Sequence, residues 1–190
     1  MYPDKIRCSW PSANELMIQY HDEEWGVPVH EDRKLFEFMV LDSFQAGLSW
    51  KNILNKREGF RSAFAGFEPE IITLFGKRDI EKLINNKTII RNRLKIKATI
   101  SNSQHFLDIQ KEFGSFDSFI WKFTDGKTKI NQWETTDDIP ASTPASDTMS
   151  KEVKNRGFKF IGTTICYAFM QAAGMVNDHL ISCFRHDDLG

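Results

Sequence analysis

Apolar residues recur along this chain at a period near 3.6, the spacing of one helix face, over almost its whole length. In EDRKLFEFMVLDSFQAGLSW, the residues Leu35, Phe38, Met39, Asp42, Ala46 and Ser49 share one stripe. WKNILNKREGFRSAF continues the helical pattern and closes at AGFEP. RDIEKLINN and IIRNRLKIKATISNSQHFLDIQKEF predict two helices around a short, basic, Asn-bearing turn. After Gly114, FDSFIWKF predicts a short aromatic helix, and the polar stretch from Thr124 to Pro140 predicts irregular structure. STPASDTMSKEVKNRG has Ser142 or Thr143 as a cap, Pro144 in the first turn and Gly157 beyond the end. GTTICYAFMQAAG predicts a largely apolar helix from Gly162 to Gly174. With no alternating β pattern and no repeat, the expected class is all-α.

Composition adds bounds to this picture. At 190 residues and 41% hydrophobic, the chain suits one globular domain spanning residues 1–190. No apolar run approaches the roughly 20 residues of a membrane span, and MYPDKIRCSWPS lacks the apolar core of a secretory signal. A soluble, cytosolic protein is expected. Three cysteines, Cys8, Cys166 and Cys183, argue against a disulfide framework and leave metal binding or core filling as their uses. The net charge of -1 hides an uneven distribution. Lys77, Arg78, Lys82, Lys87, Arg91, Arg93, Lys95 and Lys97 stand against only Asp79 and Glu81. Such a run is either a solvated helix face or a local phosphate-binding surface.

Three features carry chemistry. In NDHLISC, His179 and Cys183 are four positions apart, which on a helix places both on one face. Cys8 and His21 supply a second pair at the other end of the chain. Zinc takes thiolate and imidazole in Cys₂His₂ sets, and such closed sets are structural. Spacing alone leaves the alternative of surface or core residues, because twelve residues between Cys8 and His21 exceed the usual pair spacings. Second, Asp42 stands where its stripe calls for an apolar residue. A buried carboxylate is costly unless paired, so Asp42 either serves a site or bonds a neighbouring helix end. Third, Trp10, Tyr20, Trp25 and Trp50 offer flat faces for planar or cationic ligands, with core packing as the alternative. Gly47 marks a place for close backbone approach, and Trp50 is positioned to share a pocket with Asp42.

YHDEEWGVP, FQAGLSW, IIRNRLKI and ASDTMSKEVKNRGFKFIGTTICYAFMQAAGMVNDH, flanked by Cys8 and Cys183, together resemble the 3-methyladenine DNA glycosylase I family. The resemblance runs in order from Cys8 to Cys183. It implies a helix-hairpin-helix fold, with the hairpin about residues 79–100, and one structural zinc held by Cys8, His21, His179 and Cys183. It implies monofunctional removal of 3-methyladenine from double-stranded alkylated DNA by base flipping. The family's base pocket falls on Tyr20, Trp25 and Trp50, with Asp42 at the position of a glutamate and so the candidate catalytic residue. Two further departures are Met17, where an aromatic is common, and Lys87-Thr88-Ile89 in the hairpin, where relatives carry glycine. Lys87, Arg91, Arg93 and Lys95 are the expected phosphate contacts, joined by Gly162 and Thr163 at the start of the last apolar helix. Leu48 is the candidate to fill the vacated base stack, and a monomer is the expected state. Two other readings compete: a zinc-stabilised reader of alkylated DNA without catalysis, and a zinc hydrolase, which a closed Cys₂His₂ set disfavours.

Overall fold

The structure is a computed structural model that describes residues 5–11 and 14–189. The single-domain expectation also covers residues 1–4, 12–13 and 190, which lie outside the described ones. Helices α1 (Glu15–Glu23), α2 (Asp32–Gln45), α3 (Trp50–Leu54), α4 (Arg57–Ala63), α5 (Pro69–Ile72) and α6 (Lys77–Asn85) form the first half. Helices α7 (Arg93–Phe113), α8 (Phe116–Ile120), α9 (Pro144–Asn155), α10 (Thr163–Ala172) and α11 (Phe184–Asp188) form the second. Strands β1 (Lys129–Ile130) and β2 (Val176–Asn177) pair in parallel over two residues, a ladder that the helical pattern did not anticipate.

Helix α2 is the centre. Every residue from Leu35 to Phe44 is buried, because α10, α7, α8 and α3 all pack against it. The stripe predicts one buried face, whereas the structure buries them all. Polar members of the run therefore need partners. Glu37 has them in Arg57 and Arg61, at 2.7 and 2.9 Å.

The predicted stripe extends past Gln45 to Ser49, but α2 stops at Gln45. Lys95 ends it, its ammonium donating to the carbonyls of Phe44 and Ala46 at 2.9 and 2.8 Å. The chain then turns through Gly47, whose φ of +82° is a left-handed conformation. Open space surrounds Gly47, so it serves the turn rather than the close approach that was expected. Ser49 then leads into α3, whose first residue is Trp50.

The second predicted helix divides into α3 and α4, while the paired helices appear as α6 and α7. Asn92 starts α7 by accepting from the amides of Leu94 and Lys95. Thr143 is the cap of α9, with Pro144 in its first turn, as the pattern predicts.

The end of α10 is bound to the segment after α1. Gly26 donates to Gln171 O and Val29 to Ala173 O, at 3.0 and 3.1 Å. Gly174 permits this contact: at φ +68°, a Cβ there would lie 2.3 Å from Val27 C. Gly174→Ala is therefore expected to cost about 2 kcal/mol or more, read as a lower denaturation midpoint at unchanged slope.

Candidate functional site

Cys8, His21, His179 and Cys183 meet in the interior. Their ligand atoms all lie within 4.8 Å of one another, and all four residues are buried. His179 and Cys183 converge through a turn after β2 and not on the helix that their spacing suggested. Cys183 Sγ lies 3.5 Å from both His21 Nε2 and His179 Nδ1, and Cys8 Sγ lies 3.7 Å from His179 Nδ1. The remaining ring nitrogens are occupied: His21 Nδ1 donates to Asp22 at 2.8 Å, and His179 Nε2 to Trp25 O at 3.0 Å. Asp22 is held in turn by Arg7 at 2.7 Å. These outer bonds direct one free nitrogen of each histidine at the sulfurs, the arrangement of metal ligation. A hydrogen bond between the two sulfurs pulls the Cys183 pKa down, and the same bond pushes that of Cys8 up. The cluster can hold a metal ion.

Beside the cluster lies a cavity of about 340 Å³. Its walls come from four parts of the chain: Trp10, Tyr20 and Trp25 near the start, Asp42 and Gln45 on α2, Trp50 on α3, and one face of α10. The loop through Thr136 and Ile139 to Ala141 closes it. Trp25 joins the two centres, with its ring 4.6 Å from that of His179 and 5.1 Å from that of Trp10. Tyr20 lies 5.1 Å from Trp50.

Three buried polar atoms on these walls have no hydrogen-bond partner: Asp42 Oδ2, Trp10 Nε1 and Trp50 Nε1. Unpaired buried polar groups are rare and costly, so a cavity that collects them is made for a polar ligand. Asp42 is 2% exposed, and burial pushes its carboxyl well above the usual carboxylate range. Arg57 opposes that shift from a distance, being itself committed to Glu24 and Glu37 at 2.7 Å each. Burial, and then the Asp42 charge, raises the Tyr20 phenol well above its ordinary value.

Several lining residues escape the motif reading. Thr164, Tyr167, Ala168 and Gln171 lie three, four and seven positions apart, a semi-polar stripe on the apolar α10. That stripe is a legible signal. The loop from Thr136 to Ala141 has no periodicity, and nothing local marks it.

The predicted phosphate contacts divide. Lys87, Arg91 and Arg93 are exposed on the α6–α7 connection, Arg93 pairing with Glu81 at 2.8 Å. Lys95 is not among them: it is 7% exposed, with its ammonium turned inward onto the end of α2. Thr163 is half-buried, and its hydroxyl donates to Asp147, whose carboxylate disfavours a phosphate at that hydroxyl. Gly162 caps α10 with no side chain to interfere. Leu48 is 39% exposed at the turn after α2.

A buried cluster of thiols and imidazoles able to hold a metal, beside an aromatic cavity floored by a carboxylate in a mostly helical chain, defines a pocket protein suited to a planar, polar ligand. The methyladenine glycosylase family model matches residues 10–186, and the chain belongs to that family. It is 47% identical over 177 residues to DNA-3-methyladenine glycosylase 1 of Escherichia coli K12, covering 93% of this chain and 95% of that one. A crystal structure of 3-methyladenine DNA glycosylase I superposes with a TM-score of 0.92 at 51% identity, covering 94% of this chain and 98% of the other. The Staphylococcus aureus enzyme, solved to explain 3-methyladenine recognition, superposes at 0.91 with 35% identity, covering 94% and 95%.

The raised Asp42 pKa has a consequence for stability. A carboxyl that holds its proton more tightly folded than unfolded loses stabilisation as pH rises from its ordinary 3.8 towards the folded value. In ligand-free protein, Asp42→Asn is expected to raise the melting temperature at pH 8, with the gain shrinking towards pH 4. A melting-temperature gain independent of pH would show that the carboxyl is not the cause.

Proposed function

We propose that this protein is a DNA-3-methyladenine glycosylase, hydrolysing the bond between an N3-methylated adenine and its deoxyribose. One observation carries the reading: a buried, unpartnered carboxylate oxygen on an aromatic-walled cavity at the small end of ligand-pocket sizes. The homologies agree with it. A base methylated at N3 carries a positive charge while still attached to the sugar. It departs as a neutral molecule, so much of the activation otherwise supplied by a general acid is already in the substrate. Asp42 ionises opposite the cation and accepts its hydrogen bonds, while the faces of Tyr20 and Trp50 attract the charge. Trp10 and Trp50 offer indole donors to ring acceptors. Unmodified adenine brings no charge to offset the burial of the carboxylate. Among the described residues lining the cavity there is no lysine, so attack on the sugar carbon falls to water and the enzyme is monofunctional.

The base must leave the duplex to reach this cavity, at a cost of a few kcal/mol. We assign double-stranded DNA to the α6–α7 face, acting as a helix-hairpin-helix element. Asn86 accepts from the amide and hydroxyl of Thr88, and Lys56 donates to Lys87 O at 2.8 Å, which together hold the connection open to phosphate. Lys87, Arg91 and Arg93 provide the charge, with Leu48, exposed in the turn between α2 and α3, to fill the gap in the stack. A monomer acting on chromosomal DNA in the cytosol fits this assignment.

Zinc is the proposed ion. A tetrahedral zinc with sulfur at about 2.3 Å and nitrogen at about 2.0–2.1 Å sets those atoms about 3.6 Å apart. The cluster's three measured sulfur–nitrogen pairs lie at 3.5, 3.5 and 3.7 Å. With four protein ligands the set is closed, so the ion's part is to tie the ends together. That also disfavours the zinc-hydrolase reading.

Asp42→Asn is expected to slow release of 3-methyladenine about ten- to hundredfold, the cost of a lost charged hydrogen bond. Fold and DNA affinity should persist. Chromatography of the free base from methylated DNA measures this; release at the wild-type rate would sink the assignment, and a wild-type protein that binds lesions but frees no base would support the non-catalytic reader. Chelation is expected to lower the melting temperature, with activity returning once an osmolyte restores the fold without metal. A folded, metal-free protein that stays inert would give the ion more than a structural part.

A further inference from the structure

We propose that Gln171 reads the exocyclic amino group of the excised base, and that Asp178 sets its orientation for that task. This rests on the glycosylase reading above and adds how the pocket separates a 6-amino from a 6-oxo purine.

Asp178 is 1% exposed, directly behind the α10 wall of the cavity. Its Oδ2 accepts from the Tyr167 hydroxyl at 2.6 Å and from Gln171 Nε2 at 2.7 Å. Its Oδ1 accepts from Trp133 Nε1 at 2.8 Å and Asn131 Nδ2 at 2.7 Å. All four partners donate, and both carboxylate oxygens accept. The Gln171 amide is therefore fixed with its NH₂ towards Asp178. Its oxygen, at the opposite end of the group, bonds to no described residue and is the end left for the cavity that Gln171 lines.

An oriented acceptor on a packed helix discriminates strongly. A site built to receive a hydrogen bond rejects an analogue that cannot donate, because its own polar group is then left unpaired. Adenine carries an amino donor at position 6 and guanine an oxygen acceptor. The positive charge of an N3-methylated base is common to both, so Asp42 and the aromatic faces cannot separate them by charge. Gln171 separates them by direction. Without Asp178 the amide is free to turn its NH₂ to the cavity and would then favour the oxo base. Asn131 and Trp133 lead into the loop that closes the cavity, so the same carboxylate also holds that wall.

The test uses the full chain, loaded with its metal, on DNA methylated to contain both 3-methyladenine and 3-methylguanine. Single-turnover release of each base is followed for wild type, Gln171→Met and Asp178→Asn, alongside metal content and melting temperature. Gln171→Met is expected to slow 3-methyladenine about tenfold while leaving 3-methylguanine unchanged or faster, so that the ratio collapses. Asp178→Asn is expected to lower the ratio in the same direction. Equal slowing of both bases in a folded Gln171→Met protein, or an unchanged ratio, overturns the proposal and leaves the glycosylase reading standing. Wild type that frees neither base overturns both. Gln171→Met leaves the Cys/His residues and three of the four donors on Asp178 in place, and with metal content and melting temperature unchanged it decides the matter alone if Asp178→Asn loses metal or fold.

Discussion

Keeping the Asp42 carboxylate out of water is the constraint around which the rest is arranged. A carboxylate in apolar surroundings is unstable in proportion to how well it is dried, and under the function proposed above an arriving cation relieves that instability. Every neighbouring element contributes to the drying. Helix α2 is covered on all sides, and aromatic rings close in from the first helix and from α3. The nearest cation, Arg57, is committed to Glu24 and Glu37 and so tempers the penalty without neutralising it. Glu24 shows the contrast: burial pushes it up, but hydrogen bonds from Arg57 and Lys34 hold it down to about 2. Two carboxylates in one region are thus driven in opposite directions, one satisfied and structural, the other left in need of a partner.

Lys95 links this pocket to the outer surface. It belongs to the first turn of α7, whose neighbouring Arg91 and Arg93 face solvent, yet its own charge closes the end of α2. The turn that delivers Trp50 begins at those same carbonyls. The helix bearing the exposed cations and the loop bearing a pocket wall are therefore one mechanical unit, and the distance between them does not depend on a flexible contact.

Much of this was legible in the chain because it follows local rules. Thr143 and Asn92 bound their helices through side-chain bonds made within a few residues, and Pro144 suits the first turn because its φ is already helical. Asp42 was visible as a polar residue on an apolar stripe. Lys95 gives the same signal on α7, in phase with the buried Thr99, Asn102 and Phe106, but a run of basic residues around it masks the phase. The His179–Cys183 pair shows the opposite case. Its ligands converge as expected, although the helix that spacing invoked is absent, because the fold brings the atoms together through a turn. The loop from Thr136 to Ala141 and the four donors gathered on Asp178 depend on distant contacts, and no local periodicity encodes those. The semi-polar stripe on α10 lies between these extremes, written in the sequence but meaningful only once the cavity beside it is known.

The junction of Cys8 with Cys183 and the two histidines also alters how the molecule bears load. With an ion seated there, tension between the chain ends passes from one sulfur to the other and bypasses the helices in between. A threading protease that pulls on either end would have to strip metal–ligand bonds before the helices from α1 to α10 felt the force. A metal held there as proposed would make resistance to processive unfolding depend on metal supply, so that a cell short of the ion would clear this protein faster without any change in its sequence.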